Sequence, residues 1–320
     1  MLFVTNRGLK EGPVSHPGRI IHFDLSDNSA QHSVFFCERI AKDTYTEIGS
    51  LAFLQRLKDL EVEQLLFFVH GYSNLPEPNI FPRARKLQKL LDGQKKKLAA
   101  VVPIIWPCDN DLGIAKDYWD DQKAADASGF AFARVLEKFE AWRNRQANMD
   151  NPCLKRINVL AHSMGNRVFR ETMRIWSKYD RHGGVPLLFR NAFLVAADIV
   201  NEALERGKSG EAICEASRNV VVYYASDDLA LRASKISNLK NAVASRRLGH
   251  SGPEDMSKVP GNVYAVDCDD YNTKYDKPKG HSYFLGDASG KPGAVFKDIC
   301  HAIERGRVWG DDETQRVFIL

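Results

Sequence analysis

Residues 157–168 read INVLAHSMGNRV, a short apolar run that leads into Ala-x-Ser-x-Gly and continues with helical spacing. A strand that passes into a helix through this motif turns sharply at the serine and lifts its hydroxyl above the sheet. Ala161 and Gly165, two positions before and after Ser163, are small enough for such a turn. The stretch therefore predicts a strand, a tight turn and a helix that present Ser163 as a nucleophile. A plain helix N-cap serine is the alternative.

The rest of the chain alternates short apolar runs with longer segments of helical spacing. This alternation predicts an α/β fold with a mostly parallel central sheet and helices on both faces. Near-continuous apolarity is typical of strands that are buried on both faces. The predicted strands are 64–69, 100–106, 156–160, 190–196, 219–224 and 262–266. The predicted helices are 83–98, 116–145, 165–178, 229–243 and 294–305.

The start of the chain has a different pattern, with short β-type runs separated by Gly12-Pro13 and Pro17-Gly18. Pairs of glycine and proline mark turns. We therefore expect residues 1–45 to form an antiparallel extension at one edge of the sheet. Because the sequence contains no repeat and no long linker, residues 1–320 are predicted to form a single domain.

The composition excludes several classes of protein. Hydrophobic residues make up 44% and charged residues 27%, which excludes wholesale disorder. Lys and Arg number 45 against 41 Asp and Glu, so no dedicated nucleic-acid surface is expected. No apolar run approaches the roughly 18 residues of a membrane-spanning helix, and the first residues lack a signal-peptide pattern. Six cysteines without a Cys-x-x-Cys pair are typical of reduced thiols, which favours a cytoplasmic protein.

A second motif predicts where an oxyanion would bind. Residues 67–74 read FFVHGYSN, a buried strand that ends in His70-Gly71. Glycine lets the backbone turn there, so that N–H groups can face a reaction centre. We expect the backbone amides of Tyr72 and Met164 to form the oxyanion hole. His70 is expected to brace this loop rather than to act as a base.

Several motifs together resemble the α/β-hydrolase superfamily. Within it, the chain is similar to a bacterial group of α/β hydrolases of unknown function that is related to serine esterases and lipases. Besides the serine turn and the His-Gly loop, the likeness includes residues 1–7, 105–107, 224–226, 228–231 and 249–253. The resemblance implies the hydrolase fold and a triad in the order serine, acid, histidine. It implies no particular substrate.

The acid of that triad is expected after the strand at 219–224. Asp228 matches the Asp-x-Ala-Leu pattern of the group and is the first candidate. Asp227 is its neighbour in the same loop. Asp198 follows the strand at 190–196 and remains an alternative, because some lipases place the acid one strand earlier.

The histidine of the triad must follow the acid, which leaves three candidates. His281 comes after the last predicted strand, and Gly280 before it permits a turn toward the serine. His301 lies within an amphipathic helical segment, and His250 lies in a loop that could contact substrate instead. We therefore expect His281 to be the base.

These residues predict a serine hydrolase that cleaves a carboxylic ester through an acyl-enzyme. An amidase or peptidase would use the same triad, and an inactive hydrolase-fold interaction module is a further alternative. The expected partner is a small-molecule acyl substrate. No cofactor is expected, and no metal, since the sequence lacks the ligand spacing of zinc or calcium sites. Segments 74–82, 107–119 and 246–260 are expected to form the pocket walls. The oligomeric state is left open.

Overall fold

Most of the chain is described by a computed structural model, which covers residues 1–108, 114–180, 184–231, 246–276, 279–287, 289–308 and 315–320. The strands are β1 (Leu2–Thr5), β2 (Ile20–Ile21), β3 (Phe35–Ala41), β4 (Thr44–Glu47), β5 (Gln64–Val69), β6 (Ala99–Ile105), β7 (Arg156–His162), β8 (Phe189–Val195), β9 (Ser217–Tyr224), β10 (Val263–Asp267) and β11 (Val317–Ile319). Together they form one sheet.

The order across this sheet is β11-β10-β9-β8-β7-β5-β6-β1-β3-β4-β2. Neighbours from β11 to β1 are parallel to one another. The pairs β1–β3, β3–β4 and β4–β2 are antiparallel. The mostly parallel sheet and its antiparallel amino-terminal edge confirm the predicted fold class. One detail differs, because β1 itself runs parallel to β6.

The helices connect the strands along the chain. They are α1 (Gly49–Asp59), α2 (Phe81–Gln94), α3 (Ile114–Arg143), α4 (Gln146–Asp150), α5 (Gly165–Ile175), α6 (Glu211–Ala216), α7 (Leu248–Ser251), α8 (Asn272–Tyr275) and α9 (Ala294–Arg305). Two π-helical turns, Pro76–Ile80 and Trp176–Asp180, adjoin α2 and α5. None of the helices within the described ranges is long and apolar enough to cross a membrane.

Helices cover both faces of the sheet, and β5 shows how its sequence divides between them. Leu65 and Val69 belong to a core that includes side chains of α1, α3 and α5. Leu66 and Phe68 point to the opposite face, where they join a core with α2 and α9. Both sets are buried, so the strand is apolar at nearly every position. This burial explains why β5 could be predicted from an uninterrupted apolar run.

A row of amide side chains crosses the parallel strands near their amino-terminal ends. Asn158 donates to Gln64 Oε1 at 3.1 Å, Asn191 donates to Asn158 Oδ1 at 2.7 Å, and Asn219 donates to Asn191 Oδ1 at 2.8 Å. The same row caps α9, because Gln64 and Asn191 donate to the carbonyls of Ile303 and Ala302. Helix ends leave the last carbonyls without partners inside the helix, and that of Ala302 also accepts the N–H of Gly306 at 2.8 Å. The amide row therefore satisfies buried polar groups of both the sheet and the helix.

The predicted strands are all present, with boundaries shifted by a few residues. The predicted helix 83–98 is observed as Phe81–Gln94, because the backbone becomes extended at Lys95 and Lys97 then adopts a positive φ of 61° in the turn to β6. Of the predicted helix 229–243, residues 229–231 are helical and 232–245 lie outside the described residues. The sequence patterns did not predict α1 or β11. The single-domain organisation stays a prediction.

Candidate active site

Ser163 lies on the sharp turn between β7 and α5. Its φ is 54°, in the left-handed region that non-glycine residues rarely adopt. The turn is held on both sides, because Ser163 N–H donates to the Val195 carbonyl at 2.9 Å and the Ser163 carbonyl accepts from Asp198 N–H at 3.2 Å. Such strain costs on the order of 1–3 kcal/mol and persists where the surroundings fix it. The hydroxyl of Ser163 is thus carried on a rigid, strained support.

Two glycines allow the close packing around this turn. A Cβ on Gly165 would lie 2.5 Å from the carbonyl oxygens of both Val69 and His70, so α5 could not begin here with a larger residue. A Cβ on Gly71 would lie 2.8 Å from Ser163 Cβ. The backbone that follows β5 is therefore pressed against the serine.

The two residues predicted for an oxyanion hole flank this contact. Tyr72 directly follows Gly71, and its ring meets the ring of Tyr118 edge-on at 5.7 Å. Met164 is fully buried and immediately precedes α5. The first N–H groups of a helix have no helical acceptor, and the helix dipole places positive charge there. Tyr72 thus follows the glycine that packs against Ser163, and Met164 follows Ser163 itself at the start of α5.

His70 is held inside the loop after β5 by both ring nitrogens. Nδ1 donates to the Gly71 carbonyl at 2.8 Å, and Nε2 accepts from Trp106 N–H at 3.2 Å. Its ring stacks on Trp106 at 5.2 Å, and Trp106 Nε1 donates to the His70 carbonyl at 2.8 Å. Burial lowers the pKa of His70 to about 3, so the ring is neutral. These contacts agree with a bracing role for His70.

Asp228 and His281 form a close pair, although 52 residues separate them in the chain. His281 Nδ1 lies 2.7 Å from Asp228 Oδ2. The other carboxylate oxygen accepts the backbone N–H groups of Ala230 at 2.9 Å and Leu231 at 3.0 Å. Because Asp228 is completely buried, these bonds replace the water that an ionised carboxylate would otherwise require. The carboxylate is therefore fixed against one edge of the imidazole.

The loop that carries His281 is shaped by its own hydrogen bonds. The N–H groups of His281 and Ser282 donate to Asp276 Oδ2 at 2.8 and 2.6 Å. Gly280 has a φ of 62°, and a Cβ there would lie 2.6 Å from Asn272 Nδ2. Asn272 in turn donates to the Gly280 carbonyl at 3.0 Å. The turn that delivers His281 therefore requires glycine at position 280.

His281 lies against the residue that precedes the serine. His162 Nε2 is 3.1 Å from the His281 carbonyl, and the two imidazole rings are 4.8 Å apart. Burial, with the neighbouring His281, holds the pKa of His162 well below its ordinary value. A neutral His162 donates from Nε2 and thereby anchors the His281 loop beside the serine turn. No pattern in the sequence pointed to this role of His162.

The free edge of His281 is its Nε2 atom. This atom is buried and has no hydrogen-bond partner within the described part of the chain, so it is not bonded to Ser163 Oγ. Nδ1 is occupied by Asp228. The imidazole thus keeps one nitrogen available next to the serine turn.

Arg83 connects the loop after β5 with the loop of His281. Its Nη1 donates to Asn74 Oδ1 at 3.0 Å, and Asn74 Nδ2 donates to the carbonyls of Gly71 at 2.9 Å and Tyr72 at 2.6 Å. Burial lowers the pKa of Arg83, and the negative charge of Asp276 opposes that shift. Sequence reasoning missed this connection, because its members are far apart in the chain and belong to no motif.

The alternative acids and bases occupy other positions. Asp198 forms an ion pair with Arg247 through one oxygen, 3.1 Å from Arg247 Nε, and accepts Tyr118 OH at 2.8 Å on the other oxygen. Asp227 is half-buried and makes no bond to His281 within the described contacts. His250 lines a separate polar cavity of about 360 Å³, and His301 is exposed on α9. Among the candidate acids, the structure brings Asp228 to His281.

The expected pocket walls are only partly described. Segment 74–82 contains the first π-helical turn and approaches the site through Asn74. Part of segment 107–119, residues 109–113, lies outside the described residues. Segment 246–260 contains α7 and lines the polar cavity with Arg246 and Arg247. Within the described ranges, no group of three His, Cys, Asp or Glu side chains is arranged to hold a metal ion.

A mostly parallel sheet with helices on both faces and a strained serine after a central strand is the architecture of an α/β hydrolase. Residues 49–289, about three quarters of the chain, match a family described as alpha/beta hydrolase of unknown function (DUF900). The protein belongs to this family, which confirms the resemblance found in the sequence. A search of curated proteins gives no match.

Proposed function

We propose that this protein is a serine hydrolase in which Ser163 is the nucleophile, His281 the general base and Asp228 the orienting acid. The observation that carries the proposal is the 2.7 Å contact between Asp228 and His281 beside the strained turn of Ser163. Nucleophile, base and orienting carboxylate are the three parts that acyl transfer by serine requires.

In the proposed reaction, His281 Nε2 takes the hydroxyl proton of Ser163 while Oγ attacks the carbonyl carbon of the substrate. Asp228 stabilises the imidazolium that forms and holds its Nδ1–H. The imidazolium then donates its proton to the leaving alcohol, which produces the acyl-enzyme. Water attacks this ester with His281 again as the base, and the acid is released with Ser163 restored.

The negative charge of the tetrahedral intermediate needs donors. We assign these to the backbone N–H groups of Tyr72 and Met164, which flank Ser163. Donors of this kind are each worth roughly 3–4 kcal/mol of transition-state stabilisation. The tight contact of Gly71 with Ser163 and the Asn74–Arg83 bond support the position of the Tyr72 amide.

The bond between Ser163 and His281 has to form on substrate binding. Catalytic hydrogen bonds are often long or misaligned without substrate and tighten in the complex. The unpartnered Nε2 of His281 fits such a pre-reaction state. The likeness to serine esterases and lipases favours a small carboxylic ester over an amide. All six cysteines are free, which supports the predicted reducing, cytoplasmic location.

The test is reaction with a fluorophosphonate probe together with turnover of p-nitrophenyl esters and matching anilides. We expect the wild-type protein to be labelled at Ser163 and to hydrolyse at least one short or medium acyl ester faster than its anilide. Ser163→Ala should abolish both signals. Ser282→Ala is the matched control, because Ser282 lies in the His281 loop and its backbone N–H makes the bond to Asp276.

The unmade bond between Ser163 and His281 also favours one alternative, an inactive hydrolase-fold protein that acts as an interaction module. The two functions give different results in the same assay. An inactive module would neither react with the probe nor turn over any ester. Equal turnover by wild type and Ser163→Ala would remove Ser163 from the mechanism. Faster cleavage of anilides than of esters would replace the esterase by an amidase.

A further inference from the structure

An apolar cavity of about 130 Å³ lies between the sheet and three helices. Its lining includes Leu57 of α1, Leu136 of α3 and Met173 of α5, which face Leu65 of β5 and Ile157 of β7. Protein interiors are close-packed and contain few voids larger than a water molecule. An apolar cavity of similar size, about 150 Å³, stays dry and binds benzene. The space therefore fits an apolar group rather than ordered water.

The cavity is lined by residues other than those of the proposed active site. Its lining extends from Leu65, Ile157 and Phe189, near the amino-terminal ends of their strands, to Val69 and Ile104, near the carboxyl ends of β5 and β6. None of the five residues proposed for catalysis or oxyanion binding lines it. It is thus a second site.

Two lysines stand at the amino-terminal end of this cavity. Lys58 Nζ donates to Asn148 Oδ1 at 3.2 Å and to the Asn151 carbonyl. Lys155 Nζ donates to the carbonyls of Leu60 and Val62, the latter at 2.9 Å. An ammonium has three donors, so each retains one beyond these hydrogen bonds, and Lys58 Nζ also lies 5.9 Å from the centroid of the Trp142 ring. Neither lysine has a carboxylate partner among the ion pairs of the described residues, so the mouth of the cavity is cationic.

Two exposed leucines are neighbours in sequence of residues that line the cavity. Leu154 lies between the lining residues Cys153 and Lys155 and is 84% exposed, and Leu187 precedes the lining residue Leu188 and is 68% exposed. Single exposed leucines are ordinary on protein surfaces. Here each exposed leucine is adjacent in sequence to a residue that lines the cavity, so exposed apolar side chains accompany its two lysines.

We infer that this cavity binds a free, single-chain carboxylate of medium length, the class of a fatty acid. Its terminal carbons, roughly six by comparison with a benzene-sized cavity, fill the space between α1, α3 and α5. Its carboxylate receives the remaining N–H donors of Lys58 and Lys155. The chain between them crosses the apolar mouth.

Cys153 provides a direct readout of occupancy. It lines the cavity and is partly exposed, whereas the other five cysteines are buried. We expect decanoate at submicellar concentration to slow alkylation of Cys153 by N-ethylmaleimide, measured by mass spectrometry of the full chain. Decanol and decyltrimethylammonium should protect much less, because they carry the same chain without the carboxylate. The readout does not use Ser163, so it is independent of the proposed hydrolase activity.

Variants test separately the charge of the two lysines and the apolar space that would hold the hydrocarbon chain of the ligand. Lys58→Met and Lys155→Met keep an apolar stem, and each should weaken protection by decanoate about tenfold while leaving the weak effect of decanol unchanged. Val135→Phe should fill the cavity and remove protection by both compounds. Lys97→Met is the control, because Lys97 is exposed and pairs with Glu61 away from the cavity. It should behave like wild type.

Three results would overturn the inference. The first is no protection of Cys153 by decanoate in the folded protein. The second is equal protection by decanoate and decanol that neither lysine variant changes. The third is protection by anionic phospholipid vesicles without protection by monomeric decanoate, which would assign the surface to a membrane.

Discussion

Replacing Gly71 with alanine should impair catalysis because it displaces Ser163 or the Tyr72 loop, without removing any reacting group. The new Cβ would lie 2.8 Å from Ser163 Cβ, about 0.6 Å closer than the 3.4 Å at which ordinary contact begins, and 3.1 Å from His162 Nδ1. Ser163 or the loop of Tyr72 must therefore move by several tenths of an ångström. Because a 1 Å misplacement in an active site can cost about a hundredfold in rate, we expect kcat/KM to fall by roughly ten- to a hundredfold.

The assay for Gly71→Ala measures the second-order rate of fluorophosphonate labelling and kcat/KM for the best p-nitrophenyl ester. Circular dichroism and thermal unfolding report whether the fold is kept. Labelling should slow in parallel with ester turnover, because both depend on attack by Ser163 and on the oxyanion donors. The melting temperature should fall by only a few degrees.

Gly93→Ala is the matched control. Gly93 lies in α2, and a Cβ there would meet nothing within 4 Å. Removing glycine from a helix stabilises it by about 0.5–1 kcal/mol, so this variant should melt slightly higher and react like wild type. Wild-type labelling by a folded Gly71→Ala protein would refute the reasoning, because Ser163 would then tolerate the displacement that the distances require.

Three further predictions concern buried polar groups. Asp228→Asn should lower kcat about 10³- to 10⁴-fold, because the imidazolium loses its negative partner, whereas Asp227→Asn should stay near wild type in the same ester assay. Comparable losses in both variants would contradict the assignment of Asp228. Burial raises the pKa of Asp298 from 3.8 to about 6. Between these pH values the native state binds one more proton at Asp298 than the unfolded state does. The resulting contribution to the free energy of unfolding is therefore lost as pH rises through 6. The side chain does not titrate in Asp298→Asn. The free energy of unfolding of this variant, relative to wild type, should therefore rise by up to about 3 kcal/mol from pH 4 to pH 8, as measured by urea unfolding. If the difference between variant and wild type is the same at both pH values, the pKa of Asp298 is not raised. Asn191→Leu leaves Asn158 Oδ1 without its donor, removes one of the two donors to the Ala302 carbonyl and leaves Asn219 Nδ2 with only the Gly306 carbonyl, and should cost about 1–3 kcal/mol by the same measurement. A cost below about 0.5 kcal/mol would show that these groups find other partners.

The sequence predicted the parallel part of the sheet because its strands are buried on both faces. A strand such as β5 is apolar at nearly every position, which separates it from loops and from amphipathic helices. The direction of β1 could not be predicted, because it is set by pairing with β6 about 100 residues later. The short strand β11 is largely exposed and carries no such signal.

The sequence predicted the site residues that belong to a motif or are implied by the order of the triad along the chain. Ser163 was found from its motif, and the order serine, acid, histidine led to Asp228 and His281, which the structure pairs. The sequence left Asp198 open, because its engagement with Arg247 and Tyr118 depends on tertiary contacts. The contacts of His162 and Arg83 that position the loops also depend on tertiary structure, so the sequence did not reveal them.

The amide row across the sheet also bears on the positions of Ser163 and Asp228, because it joins the strands that lead to them. Asn158 lies near the start of β7, which leads to Ser163, and Asn219 lies near the start of β9, which leads to Asp228. A one-residue slip between strands would shift one of them by about 3.3 Å and reverse the side chains of that strand. Such a slip exceeds the length of the Asp228–His281 bond. The register of the strands at their amino-terminal ends thus determines whether Asp228 and His281 can meet at the other end of the sheet.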